Sequence, residues 1–286
     1  MTRDPARPDH GREIKDETLF TPRTPRIAAA RKLHRRRDRD AARRFLAEGP
    51  QAVSEALATP GTVIELFGTP ETLHRYATLS RAASDTGAEV SEVDEDALAA
   101  LTETVQPQGI VALCHQADVP LAEALSRGPR LVAALAEIRD PGNAGTVLRT
   151  ADAAGAGAVV FAGDAVDPYN GKCVRSTAGS LFHVDVVRGP DPVTVVTEAQ
   201  AAGLTVLAAT GYGDADLDGL ADSGALSTRT MWIFGSEAHG LSDAVLAAAD
   251  HRVKVPMYGR AESLNLAAAA AVCLYASARA LRDFEE

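Results

Sequence analysis

The segment "IRDPGNAGTVLRTADAAG", Ile138–Gly155, decides how this chain is read. It follows the apolar run "LVAALAEI" (131–138), turns at Pro141-Gly142 and passes straight into a helical pattern. A strand, a tight turn and a helix in that order make the βα step of an open α/β sheet. Within it, Asn143 is suited to cap a helix whose first-turn N–H groups lie free. Arg149 follows six residues later, about 600° further round at 100° per residue, so it leaves the helix well away from Asn143. An N-capped helix with a surface arginine and a site built from an amide and a guanidinium fit these residues equally well.

Outward from this segment the same alternation continues. "AGAVVFAG", "GLTVLAAT", "TMWIFG" and "HRVKVP" are near-continuous apolar runs separated by helical patterns. Such runs fit strands covered by helices on both faces, hence a mainly parallel sheet. In the first half, "TVIELFG", "AEVSEV" and "GIVALCH" read as strands, with "PETLHRYATLSRAASDTG" and "DEDALAALTE" as helices. Between the halves the pattern loosens through "QADVPLAEALSRGPR", punctuated by Pro120 and Gly128-Pro129. The reading is a tail at 1–25, a first domain at 26–117 and a second at 118–286. The tail is polar, proline-rich and without hydrophobic periodicity. After it, "RIAAARKLHRRRDRDAARRFLAEG" reads as one basic helix closed by Gly49-Pro50.

Bulk composition excludes several classes. With 46% hydrophobic and 24% charged residues, the 286-residue chain is that of a globular protein. No signal-peptide core opens it, and the alanine-rich run after Leu266 is shorter than the ~20 residues of a membrane span, so a cytoplasmic location is expected. Cys114, Cys173 and Cys273 are too scattered for a disulfide framework or a zinc site, and no H-E-x-x-H spacing occurs; no metal is expected. The net charge of −10 is unevenly spread: residues 1–44 carry 14 Lys and Arg against 7 Asp and Glu. That basic end points to a polyanionic partner.

Three further segments carry candidate chemistry. "IFGSEAHGLSD" leaves a strand and holds Glu237 between Gly235 and Gly240, where glycines let backbone approach a ligand. Taken alone it reads first as a plain strand-to-helix loop with Ser242 as the cap and Glu237 solvated. "VKVPMYGRAESLNLAAAAAVCLYASARA" runs through a Pro256–Gly259 loop into a long helix beginning near Ser263, the expected N-cap. Asn265 inside that first turn is poor helix chemistry unless its amide has another task. "DPYNGKCVRSTAGSLFHVDV" stacks Lys172 and Arg175 on one helix, either as cations for phosphate or as an ordinary exposed face. No nucleotide-binding fingerprint of the G-x-x-x-x-G-K-[ST] or G-x-G-x-x-G type is present, and no G-x-S-x-G elbow accompanies the histidines.

Together, and in this order, "DPGNAGTVLRTA", "IFGSEAHGL" and "VPMYGRAESLNLAAAAAVCLYA" resemble the three motifs of SpoU-type (TrmH-like) RNA ribose 2′-O-methyltransferases of the SPOUT superfamily. "DPYNGKCVRSTAGSLF" resembles the family's intermediate segment, and the first half is similar to a small α/β substrate-binding domain that itself resembles a ribosomal protein. The resemblance implies an α/β fold whose parallel sheet is tied in a deep trefoil knot, a feature no sequence pattern reveals. It implies S-adenosylmethionine as methyl donor, a homodimer in which both subunits shape the site, and RNA as partner, with 23S rRNA first and a tRNA second. A fold retained by a non-catalytic RNA-binding protein and a nucleotide-dependent oxidoreductase are the competing readings.

Carried over by motif position, the resemblance places Asn143, Arg149, Glu237, Ser263 and Asn265 around the target ribose. Thr210, Gly211, Gly235, Val255, Met257 and Leu264 line the donor pocket in that scheme. Lys172, Arg175 and the basic segment with Arg31, Arg35, Arg36 and Arg37 become the RNA contacts. The sulfonium methyl leaves a neutral thioether, so the demands on the protein are alignment of O2′ and removal of its proton. The family pattern gives that proton to Arg149. A guanidinium is a poor base, so Arg149 either loses its proton transiently or stays cationic and stabilises the developing alkoxide.

Overall fold

The computed structural model describes residues 19–282, and its strands fall into two sheets. The first half contains α1 (Pro25–Arg31), α2 (Arg36–Ala42), β1 (Arg44–Glu48), α3 (Pro50–Ala58), β2 (Val63–Gly68) and α4 (Pro70–Arg75). It continues with α5 (Ala77–Asp85), β3 (Glu89–Glu92), α6 (Glu95–Leu101) and β4 (Ile110–His115). Its sheet runs β1-β4-β2-β3, with β4 antiparallel to both neighbours and β3 parallel to β2.

The second half opens with α7 (Leu121–Ser126), β5 (Leu131–Ala136), α8 (Pro141–Ala153), β6 (Ala158–Ala162), α9 (Gly171–Thr177) and β7 (Asp185–Arg188). Then come α10 (Pro192–Ala201), β8 (Thr205–Ala209), β9 (Ala215–Asp216), α11 (Leu217–Asp222) and β10 (Thr230–Phe234). The chain closes with α12 (Asp243–Ala248), β11 (His251–Lys254) and α13 (Leu266–Arg282). These strands form one all-parallel sheet in the order β7-β6-β5-β10-β8-β11-β9. β5, β6 and β10 are buried along their whole length because helices cover both faces. Helices α7, α10 and α12 pack on one face, while α8, α9 and α13 cover the other. Trp232, the single tryptophan, lies between Ala133 and Leu207 on the neighbouring strands, and its indole N–H donates to Ser277 of α13 at 2.9 Å.

One connection departs from simple winding. β8 ends at Ala209 on one side of Val253, and β9 begins at Ala215 on the other, so residues 210–214 cross β11. Gly213 lies against the crossed strand; a Cβ there would fall 2.5 Å from the Arg252 carbonyl oxygen and 2.7 Å from the Lys254 nitrogen.

Several expectations need correction. The basic segment is not one helix: Arg43 takes a left-handed conformation (φ 52°), and "RFLAE" then pairs as β1 with β4. Its Phe45, Leu46 and Ala47 are all buried, which offsets the departure from helix. The helix expected over 70–87 breaks at Tyr76. The tail expected at 1–25 lies outside the described residues up to residue 18, and beyond that it is ordered. Phe20 bridges Val93 and exchanges backbone hydrogen bonds with Glu92 and Asp94.

The two sheets meet at a joint of charged side chains. Arg39, 4% exposed at its side chain, holds Asp167 at 2.7 Å, and Asp167 also takes Arg188 at 3.0 Å. Arg188 reaches Asp40 at 2.8 Å, and Arg43 reaches Asp118 at 3.0 Å. Arg175 of α9 pairs with Glu48 of β1 at 2.9 Å. His183 stands between Asp152 of α8 (2.9 Å) and Glu55 of α3 (3.3 Å).

Candidate active site at the carboxyl edge of the parallel sheet

β5, β10, β8 and β11 are adjacent and parallel, so the loops that leave their carboxyl ends converge on one edge. This is where open α/β sheets bind ligands. Glu137, directly after β5, adopts φ 57°, and this left-handed residue redirects the chain towards α8. Asp140, not Asn143, is the N-cap of that helix: its Oδ1 accepts the Asn143 N–H at 2.7 Å, with Pro141 at the first helical position. Lys172 Nζ sits 3.0 Å from Asp140 Oδ2. The Asn143 N–H, and after it Lys172, hold the Asp140 carboxyl below the usual carboxylate range.

With its backbone N–H so engaged, the Asn143 side chain is free to face the edge. Its Nδ2 donates to Glu237 Oε1 at 2.8 Å. Asn265 Nδ2 donates to Asn143 Oδ1 at 3.3 Å. Three residues from three separate sequence segments are thus joined by hydrogen bonds through Asn143. Ser263 is not the cap of α13, which begins at Leu266; Asn265 caps it, its Oδ1 accepting the N–H groups of Ala267 (2.9 Å) and Ala268 (3.4 Å). Ser263 lies three residues before the first helical residue, in an exposed irregular loop.

Arg149 does not join this group. It is exposed on α8, about 9 Å along the axis from Asn143 at 1.5 Å per residue, and no side chain among the described residues pairs with it. Thr210 with Gly211, Gly235 and Val255 are the first residues past β8, β10 and β11. The Thr210 N–H donates to the Val253 carbonyl at 2.9 Å, which fixes the start of the crossing loop. Gly235 has no room for a side chain, since a Cβ would fall 2.2 Å from Gly240 C; the loop folds back there through a Ser236–Gly240 bridge. Met257 and Leu264, each 38% exposed, lie on the loop from β11 to α13. Tyr258 in that loop donates its phenol to Asp218 and so ties the loop to α11.

The RNA candidates divide in two. Arg31, Arg35, Arg36 and Arg37 are exposed; Arg36 and Arg37 make only long contacts of 3.7 Å to Asp40 and Asp38. Lys172 and Arg175 are each paired within the chain, as described. Asp140 and Tyr258 escaped sequence reasoning. The signal for Asp140 was present, because Asp directly before a proline at a helix start is a cap pattern; none marked Tyr258. A cavity of about 210 Å³, lined by Phe45, Tyr169, Phe182 and His183 among others, lies at the joint between the sheets, away from this edge. Among the described residues no group of three or more His, Cys, Asp or Glu is placed to hold a metal, and no helix is long and apolar enough to cross a membrane.

An all-parallel sheet with a crossing loop, on whose edge Asn143 joins Glu237 and Asn265 from two distant segments, defines an α/β protein of the open-sheet class with a candidate site at its strand ends. Residues 130–275 match the SpoU rRNA methylase family, and residues 24–112 match the MRM3-like substrate binding domain. The chain belongs to the SpoU rRNA methylase family. It is 41% identical to the 23S rRNA (guanosine(2553)-2′-O)-methyltransferase RlmP of Bacillus subtilis (strain 168), over 86% of this chain and 92% of that one. Among solved structures it resembles an AdoMet-bound rRNA methyltransferase from Sinorhizobium meliloti (TM-score 0.77, 30% identity, 89% of this chain and 94% of that one). The SpoU methyltransferase AviRb from Streptomyces viridochromogenes, in complex with the cofactor AdoMet, is equally similar (TM-score 0.76, 30% identity, 90% and 98%).

Proposed function

We propose that this protein transfers the methyl group of S-adenosylmethionine to a ribose 2′-hydroxyl of 23S rRNA in the cytoplasm. The observation that carries the reading is the hydrogen-bonded trio Asn143–Glu237–Asn265, which draws the three motifs to one strand edge. The strand-end loops fit the donor: they offer backbone at Gly211 and Gly235, the Thr210 side chain, and apolar groups at Val255, Met257 and Leu264. S-adenosylmethionine supplies an activated methyl whose departure needs neither metal nor acid. The chain's own task is to align O2′, which is worth at most about 7 to 11 kcal/mol in well-oriented systems. Asn143, Glu237, Ser263 and Asn265 orient ribose and donor, and Arg149 stays cationic and stabilises the developing alkoxide while solvent water takes up the O2′ proton.

Residues 26–117 form the RNA-binding domain in this reading and 118–286 the methyltransferase domain. The straddling of β11 by residues 210–214 supports a knotted chain. A homodimer is part of the same proposal: Val272 and Tyr275 are exposed apolar groups on α13 beside α8, and Arg149 on α8 has no partner among the described residues. A second copy on that face brings Arg149 to a neighbouring edge.

Alkali-resistant linkages mapped in unmodified 23S rRNA after incubation with protein and donor test the reading. One new resistant linkage is expected with the wild type and none with Arg149→Ala; no donor binding by calorimetry would sink it. Arg149→Lys, which keeps charge but loses the planar fork, should lower turnover at least tenfold. Neutralising Arg35, Arg36 and Arg37 should weaken RNA binding and flatten its salt dependence by about one unit of slope for each phosphate that no longer meets a cation.

A further inference from the structure

Helix α9 carries two cations, and each has a different task. Arg175 pairs at 2.9 Å with Glu48 of the first sheet, and the same carboxylate oxygen accepts the Glu103 N–H at 3.0 Å. Lys172 turns the other way, to the Asp140 carboxylate at 3.0 Å. Asp140 in turn grips the Asn143 backbone at 2.7 Å. The helix has no slack against α8: a Cβ on Gly145 would fall 2.5 Å from the Cys173 carbonyl oxygen and 2.6 Å from Ser176 Cβ. Gly142 is less tightly confined, with the site of its absent Cβ 2.9 Å from Asp140 Oδ1 and 3.2 Å from Lys172 Cε. Directly before α9, Asp167 is held by Arg39 of the first domain. Asn170 then caps α9, accepting the Lys172 N–H at 3.0 Å.

We propose that Lys172 is a positioning residue that sets Asn143 through Asp140, and that α9 registers the first domain against the catalytic edge. The proposal rests on the methyltransferase reading for its activity readout. As a stabilising ion pair, Lys172–Asp140 is negligible, since both side chains are about half exposed and such pairs contribute little. Its effect is geometric. With one carboxylate oxygen fixed by Lys172, the other is aimed at the Asn143 N–H, and the Asn143 amide is thereby aimed at Glu237.

The test compares Lys172→Gln, Asp140→Asn, the double variant and Lys172→Arg. Turnover is measured at saturating unmodified 23S rRNA and S-adenosylmethionine, and RNA binding is measured across a salt series. Hydrogen exchange is followed at the amides of residues 140–146 in the free protein. A positioning role gives Lys172→Gln a kcat loss of roughly tenfold or more, an unchanged RNA Kd and salt slope, and faster exchange at Asn143. The double variant is then no worse than the poorer single variant, and Lys172→Arg recovers most of the turnover. Unchanged kcat with weaker RNA binding and a flatter salt slope makes Lys172 a phosphate contact and overturns the proposal, as do strictly additive losses. If the wild type methylates no RNA, the functional reading falls; exchange alone then decides, and unaltered protection at Asn143 overturns the positioning role.

Discussion

Because Asn265 Oδ1 caps α13 while Nδ2 reaches Asn143, one side chain joins the cap to the proposed site, and substitution can separate the two. Asn265→Asp keeps the acceptor for the helix N–H groups and adds a favourable negative charge at the helix start, but it removes the donor to Asn143. It should unfold at a temperature equal to or above the wild type yet turn over at least tenfold more slowly. Asn265→Ala removes both and should lose about 1 kcal/mol of stability as well as activity. Thermal melts beside single-turnover rates distinguish the two. That Asn265 had some task besides helix formation was legible in the sequence, as an asparagine misplaced in a first turn. The sequence pattern points to Ser263 as the cap, two residues too early, because residues 260–265 form an irregular loop with bends at Arg260 and Glu262 before the helix starts at Leu266. Asn143 suffered the reverse error: its real neighbour in the cap, Asp140, lay three residues back behind a proline.

At the scale of elements, β5, β6, β8 and β10 are readable from apolar continuity, since burial on both faces leaves few polar side chains to interrupt them; β11 keeps only Val253 buried, and β7, Asp185–Arg188, is too short and too polar at its ends to stand out. β1 is not readable either, because arginines on its N-terminal side extend a helical-looking pattern up to Phe45; only pairing with β4 makes "RFLAE" a strand. The two-residue β9 carries no pattern at all and exists because the crossing loop delivers it alongside β11. The placement of α13 depends on a contact equally invisible in sequence, Trp232 Nε1–H to Ser277 Oγ, with both residues fully buried. Ser277→Ala leaves an indole N–H without an acceptor inside the core, at a cost of about 1 to 3 kcal/mol. A lowered midpoint in urea with an unchanged slope is the expected result, because the denatured chain is unaffected. Ser277→Thr, which retains the hydroxyl but adds a methyl to a closed core, should fall between the two. An alanine variant as stable as the wild type would mean that the bond does not hold the helix.

Across the whole molecule, the sequence disclosed a basic first segment and an acidic remainder, and only folding reveals that part of this charge is neutralised internally. Arg39, Arg43 and Arg188 with Asp40, Asp118 and Asp167 form a balanced network between the sheets, and Arg39 meets a carboxylate 128 positions away. Separation of that order leaves no local trace, so the joint could not be inferred. Its pH-sensitive member is His183, whose pKa is raised by its hydrogen bond to Asp152 and, after the opposing effect of burial, by Glu55; Gln51 holds the other Glu55 oxygen at 2.9 Å. A raised folded-state pKa means the stabilisation is fully present below the unfolded value near 6.5 and is lost as pH climbs through the folded value. His183→Gln should therefore melt below the wild type on the acid side of the unfolded value, and the gap should close as the pH climbs through the raised folded-state value. Salt at about 0.5 M should narrow the acidic gap as well, since the imidazole is 41% exposed and its two carboxylates lie near water. Melting temperatures recorded for both proteins from about pH 5.5 to 9 decide the matter: a gap independent of pH would make His183 a packing residue whose charge contributes nothing to the joint.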